Sequence, residues 1–369
     1  MRLHATLLLS ALATACSFGD SGFADSPNGP GASTDGTDED SGEAEDDGGV
    51  DPVVPDAGPW IPEGPRRRPL TLASREGLGG APLLLTLDPS RIEYEDTMPD
   101  GADVSVTLPD GTPLPIEIER WVPGDLSHVW VGLPPEPPAT LYLTYATASP
   151  APPVEGSVWD EQFEAVWHFG DDPGSTALSD ATGNGTIASP PGSWHIEDGL
   201  AGGAAVTDGT PIVVDSPPAL DVAMTLEGWL RRDANDPTAR RDLVRRPDAY
   251  ALRVEGQMEA RPRLRIWRDD GSVHTEPMQS VPTGDWAYVA ATYKDGDLRL
   301  YIDGALSSAE SFESGTIAGS TTPLEIGDGL TADLDEIRVS SVARSADWIA
   351  AQYRSMTDDA VGFGDPEPL

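Results

Sequence analysis

The sequence predicts an all-β body in two modules behind a disordered acidic leader, and three observations predict it. Short runs of β-branched, aromatic or alternating residues recur from Arg66 to Ser340, as in strands whose side chains point to opposite faces in turn. Asp-Gly pairs punctuate them in "RDDGS", "KDGDL" and "IDGA", and a type I′ hairpin turn needs the positive φ that these residues tolerate. Helical periodicity is nearly confined to the stretch after Ser345.

The chain opens "MRLHATLLLSALATAC", with one early Arg2, an apolar run from Ala5 to Ala15 and small residues leading into Cys16. This is the layout of a secretory signal, too short to span a bilayer as a permanent helix. The residues before Cys16, with Leu12, Thr14 and Ala15 in place and Ala13 where a leucine is usual, resemble the lipobox of bacterial lipoproteins. That resemblance implies a signal peptide over 1–15, a lipid on Cys16 and attachment to a membrane. Ser17 resembles the sorting preference for the outer membrane, and so implies display there. Cys16 is the only cysteine, so no intramolecular disulfide can form, and an anchor gives the lone thiol a reason to exist.

Residues 16–64 read as a tether, because after Cys16 they hold 13 acids and no Lys or Arg among Gly, Ser and Pro. Like charges repel along such a segment, and too little apolar surface is present to offset the entropy of ordering it. The "GDSG" within it is no protease nucleophile loop, since a catalytic serine needs a packed scaffold and a positioned histidine. The formal net charge of the whole chain is −40, and the body itself keeps 46 acids against 22 basic residues. Such a field opposes nucleic acid and anionic lipid headgroups, so no nucleic-acid partner is expected.

The first module spans residues 65–152 and ends in the Pro-rich "TASPAPPVEGS". Its strand signals are "RRRPLTL", "APLLLTLD", "ADVSVTLPDGTPLPIEIERW", "SHVWVGLP" and "ATLYLTYAT". The strings "DGADVSVTLPDGTPLPIEIERW", "VWVGLP" and "LYLTYA" resemble a bacterial domain of unknown function that precedes laminin-G-like modules, with Ala146 where an asparagine is usual. The second module, residues 153–357, carries at least nine strand-like runs, enough for two packed sheets. "AVWHFGDD", "SDATGNGT", "LAGGAAVTDG", "MTLEGWL", "GDWAYVAATYKDGDLRLYIDG", "LEIGDG" and "LDEIRVSSVARSADWIAAQY" are similar, in order and spacing, to the concanavalin-A-like, laminin-G-type jelly roll. The resemblance covers Val158 to Tyr353 and implies a jelly-roll β-sandwich. Thr207 stands where that family has an aromatic, and Trp229 and Trp286 stand where it packs its core. In "SADWIAAQY", Ser345 reads as a helix N-cap and Trp348, Ile349, Gln352 and Tyr353 as one packing stripe. Residues 358–369 read as an acidic tail.

Catalysis is not expected. Glycosidases that share this fold place Glu-x-Asp-x-(x)-Glu on one strand, and no such string occurs. "IEIER" sets Glu117 and Glu119 in the other module without a third partner, and the five histidines form no zinc-binding pair. His168, inside apolar "VWHF", reads as a packed, hydrogen-bonded core histidine. In "LDEIRVS", alternation puts Asp335 with Ile337 and Val339 and leaves Glu336 on the other face. An inward carboxylate must be paired, hydrogen-bonded or bound to a metal. The family resemblance implies a structural calcium ion held by Asp180 and Asp335, an oxygen-ligand site; the other reading gives Asp335 turn amides or Arg344 as partners.

Charge reverses sign between Arg231 and Arg268, which hold 11 arginines and 6 acids. "RPRLRIWR" puts Arg261, Arg263, Arg265 and Trp267 on one strand face, a ladder that can fork onto the oxygens of an anionic polysaccharide and stack on a sugar ring. The other reading is a solvated face whose arginines pair with acids on neighbouring strands. The expected function is an outer-membrane lipoprotein displaying a glycan-binding module without catalysis. A degenerate glycan-active enzyme and a purely structural or adhesin module are the rivals.

Overall fold

The computed structural model describes residues 64–369 apart from 153, 197, 234–239, 257–258 and 276. The signal segment, Cys16, the "GDSG" tetrapeptide and all but the last residue of the tether lie outside the described residues. Among the described residues no helix is long and apolar enough to cross a membrane.

Four β layers stack within one compact unit. In the first, Arg66–Leu72 pairs with Thr140–Tyr145, followed by Ser105–Thr107 and Pro113–Leu114. The second is three-stranded, in the order Pro82–Leu87, Ser127–Gly132, Ile116–Arg120. The third, eight-stranded, is centred on Trp286–Lys294, Ala223–Arg232 and Thr331–Ser340. The fourth, the six-stranded sheet of the second module, runs Ile212–Val214, Leu324–Asp328, Arg240–Arg246, Tyr250–Glu255, Arg261–Arg268, Gly271–His274. The third and fourth form the expected sandwich.

Side-chain alternation explains the stacking. Leu83, Leu85 and Leu87 enter the core between the first two layers with Val129 and Val131, whereas Leu84 and Trp130 point the other way. There they meet Trp229, Tyr288, Ala290 and Tyr301 on the outward face of the eight-stranded sheet. A strand buried on both faces needs apolar residues at nearly every position, which is why "PLLLTL" does not alternate. Trp229 therefore packs between modules and not inside the sandwich, whose interior is filled by Leu226, Leu230, Val289, Leu300 and their neighbours.

The segment expected as an acidic tail returns to the first module instead. Val361–Phe363 pairs with Leu70–Leu72, and Glu367–Pro368 with Arg66–Arg67. The acids Asp358 and Glu367 meet Arg91 and Arg67, which accounts for their charge. The helix Ala346–Met356 forms as its N-terminal signal predicts: the Ser345 side chain accepts the Trp348 N–H, and Trp348, Ile349 and Gln352 are buried.

Candidate functional site

Strict alternation fails in "LDEIRVS" because the strand contains a β-bulge. Asp335 pairs with Trp229 and Arg338 with Glu227, so Glu336 and Ile337 together face Gly228. Glu336 takes a φ of 53°, and the Ile337 side chain lies over Gly228, where a Cβ would stand 2.3 Å from Ile337 Cδ1. The extra residue changes the parity. Leu334, Ile337 and Val339 enter the sandwich core, while Asp335, Glu336 and Arg338 turn toward the covering β layer. The expected grouping of Asp335 with Ile337 and Val339, and of Glu336 away from the buried side, is thereby corrected.

Ile337 pairs with Trp167, which brings Glu336 opposite His168. His168 Nδ1 lies 2.5 Å from Glu336 Oε1 and 3.7 Å from Glu119 Oε2, and its Nε2 lies 3.4 Å from Glu117 Oε1. Glu117 and Glu119 share one face of the strand Ile116–Arg120 and accept the indole N–H groups of Trp159 and Trp130, each at 2.7 Å. The pair expected to lack a third partner thus has one, contributed by the other module. Arg338 closes the group: its Nε donates to Glu336 at 3.0 Å and its Nη1 to Gln352 at 2.9 Å, and its guanidinium lies 4.6 Å from the Trp130 ring centroid. Gln352 in turn donates to the Pro82 carbonyl, tying helix, sandwich and covering layer together.

Burial acts against each charge here, and the neighbours decide the outcome. It pushes the Glu119 carboxyl well above the usual range. Burial also opposes the His168 charge, but Glu336, Glu119 and Glu117 outweigh it and hold the imidazole well above its ordinary value. For Glu336, His168 and Arg338 overcome burial and hold the carboxyl at about 2.

Asp180 and Asp335 are each met by backbone amides. Asp180 accepts the N–H groups of Val166, Thr182 and Thr186 at 3.1 Å. Asp335 accepts those of Leu200 at 2.7 Å, Ala201 at 3.1 Å and Glu336 at 2.8 Å. Arg344, the other partner considered for Asp335, reaches Asp160 with both terminal nitrogens at 2.8 Å. The two carboxylates order separate loops.

The arginine strand alternates as its sequence requires. Pro262, Leu264 and Ile266 are buried, and Arg261, Arg263, Arg265 and Trp267 face outward from the six-stranded sheet. Arg261 pairs with Glu259 at 2.6 Å and Arg263 with Glu255 at 3.3 Å, and the four line a depression of about 370 Å³ with Pro262 and Pro277. Arg265 differs. Its guanidinium lies 4.6 Å from the Trp267 ring centroid and its Nη2 donates to Ser272 at 2.9 Å, with no carboxylate partner among the described residues. Arg253, on the adjacent strand, approaches the same indole at 5.9 Å. The structure therefore separates the four residues into two paired arginines and one guanidinium–indole unit.

Residues 206–350 match the family model described as "Concanavalin A-like lectin/glucanases superfamily". No curated protein matches the sequence. Among solved structures, the chain is similar to domain 4 of AbnA, a GH43 extracellular arabinanase from Geobacillus stearothermophilus, in complex with arabinotriose. That match has 17% identity and a TM-score of 0.43, covering 51% of this chain and 97% of that one. It is also similar to the binding domain of Paraclostridial Mosquitocidal Protein 1, at 16% identity and TM-score 0.43, covering 53% of this chain and 52% of that one. The binding domain of Botulinum Neurotoxin DC in complex with SialylT follows at 11% identity and TM-score 0.42, covering 53% and 52%. The chain thus spans about half the length of the two toxin domains. The match to that family model falls on the two sheets of the sandwich, so residues 206–350 are similar to a concanavalin A-like lectin/glucanase domain.

Proposed function

We propose that the protein is a lipoprotein anchored through Cys16 to the outer membrane, and that its sandwich binds an anionic glycan on the outward face of the six-stranded sheet without cleaving it. The observation that carries this reading is the Arg265–Trp267 unit. A guanidinium stacked on an indole is already ordered, keeps N–H donors for carboxylate or sulfate oxygens, and stands beside an aromatic surface that a sugar ring can cover. The neighbouring depression supplies both acceptors and donors, Glu255 and Glu259 with Arg261 and Arg263, which suits sugar hydroxyls. The outward face of the eight-stranded sheet is occupied by the covering layer, so the six-stranded sheet is the broad face left for a polymer.

Retention of purified protein on a polysaccharide panel, with product analysis, tests this directly. Retention without new reducing ends is expected; new reducing ends would make it an enzyme, and no retention would leave a structural module. Anchoring has its own test: replacing Cys16 with Ser is expected to release the protein from the membrane fraction, and unchanged detergent partitioning would contradict it.

A further inference from the structure

Carboxyl groups outnumber the cationic side chains around His168. Glu227, Asp335 and Glu336 are buried at the layer interface and the Glu119 side chain is 3% exposed, with Arg338 and His168 paired to Glu336. Two buried polar atoms inside the group have no hydrogen-bond partner among the described residues: Glu119 Oε1, on a side chain 3% exposed, and Nε2 of His168, a residue 9% exposed. Native proteins rarely leave such atoms unsatisfied, so the Glu119 carboxylate keeps acceptor capacity for a ligand, while Glu117 stands 3.4 Å from the His168 nitrogen.

One ligand atom each from Glu119, His168 and Glu336 lies within 4.8 Å of the others. We propose that these three residues form a binding site for a divalent transition-metal ion of the zinc class, bridging the first module and the sandwich. One imidazole and two carboxylates are a borderline N/O set that suits such an ion. Tetrahedral ligands about 2.1 Å from a metal lie roughly 3.4 Å apart. Glu336 Oε1, now 2.5 Å from Nδ1, must move outward by about an ångström, and Glu119 Oε2, at 3.7 Å, inward by a few tenths. Both shifts are within the reach of a glutamate side chain.

The surroundings already resemble an outer shell. With a metal on Nδ1, Nε2–H points toward Glu117 Oε1 at 3.4 Å, the carboxylate–histidine arrangement that fixes a ligating ring. Trp130 orients Glu119 and Arg338 orients Glu336. Entry is provided by a cleft of about 190 Å³ lined by Glu117, Glu119, His168, Gly170, Asp171 and Ser179. The bulge has a purpose in this arrangement, since without the inserted residue Glu336 would not face His168.

Full-length, metal-stripped protein titrated with cobalt(II) at neutral pH tests the site, with zinc(II) as competitor. The expected result is one equivalent of ion giving visible d–d absorption, abolished by zinc, with Glu119→Gln and His168→Gln each weakening binding at least tenfold. Absence of the band in the wild type would overturn the proposal and leave a proton on His168 as the neutralising charge. A band of unchanged affinity in both variants would also overturn it, by placing the ion elsewhere. Should either variant fail to fold, X-ray absorption of the zinc-loaded wild type decides: one imidazole and an oxygen shell near 2.0–2.2 Å supports the site, and an all-oxygen shell refutes it.

Discussion

The two sheets of the sandwich turn charge outward in different settings. On the eight-stranded sheet Glu227, Glu336 and Arg338 lie under the three-stranded layer, sealed between Trp130, Trp159 and Tyr288. On the six-stranded sheet Arg245 meets Glu325 and Asp328 at 2.9 Å and Arg263 meets Glu255 at 3.3 Å, all half-exposed. The pairing chemistry is the same, and the dielectric surroundings are not. Water screens the second set, so each pair contributes little and its members can exchange partners; in the first set every charge depends on its neighbours. A face of loosely held pairs can present guanidinium groups to a ligand, and a sealed face cannot.

The largest expected effect follows from the sealed face. Arg338→Met removes the cation between Glu336 and Glu227, leaving Glu336 with His168 alone and Glu227 with the Tyr288 hydroxyl. Denaturant unfolding should show a loss of about 3–5 kcal/mol. Arg263→Met on the open face should cost no more than about 1 kcal/mol in the same experiment. Equal losses would erase the distinction between the faces.

Histidine 128 extends the comparison to pH. His128 shares the strand parity of Trp130, and burial pushes its pKa down to about 4, with Arg120 adding to the shift. The folded state therefore refuses a proton that the unfolded chain accepts near its ordinary 6.5. Stability contributed by the neutral ring is complete above that value, falls as pH drops toward 4, and levels off below. The full span is worth up to about 3 kcal/mol. The difference between wild type and His128→Gln isolates this slope from carboxylate titration, and parallel pH profiles would show that the ring is not sealed.

The smallest effect concerns calcium at Asp180 and Asp335. Each carboxylate already accepts three backbone N–H groups, so addition or chelation of calcium is expected to leave Tm unchanged. A calcium-dependent rise in Tm that Asp335→Asn removes would support a calcium ion at Asp180 and Asp335.

Much of this architecture was legible in the sequence because a period of two is robust to distance. Pro262, Leu264 and Ile266 are buried and Arg261 is exposed, as the string "RPRLRIWR" requires. The unbroken apolar run "PLLLTL" marks a strand covered on both faces. The bulge was not legible by counting, since one inserted residue reverses every inference downstream of it; its trace is Gly228, a glycine inside an otherwise bulky strand. The interface cluster was hidden for another reason. Glu119, His168 and Glu336 are far apart in the chain, and only the packing of one module on the other joins them. The C-terminal strands were masked by acidic composition, although Val361 and Phe363 already carried the alternation that pairs them with Leu72 and Leu70.

The most direct test of the open face is affinity measured on uronate-rich or sulfated polysaccharide against a neutral one, at low and high salt, for wild type, Arg265→Ala, Trp267→Ala and the double variant. Binding should favour the anionic polymer, weaken with salt, and fall at least several-fold in each single variant, with Trp267→Ala losing affinity that salt does not modulate. Equal affinity for the neutral polymer, or wild-type binding by the double variant, would contradict the assignment of this face.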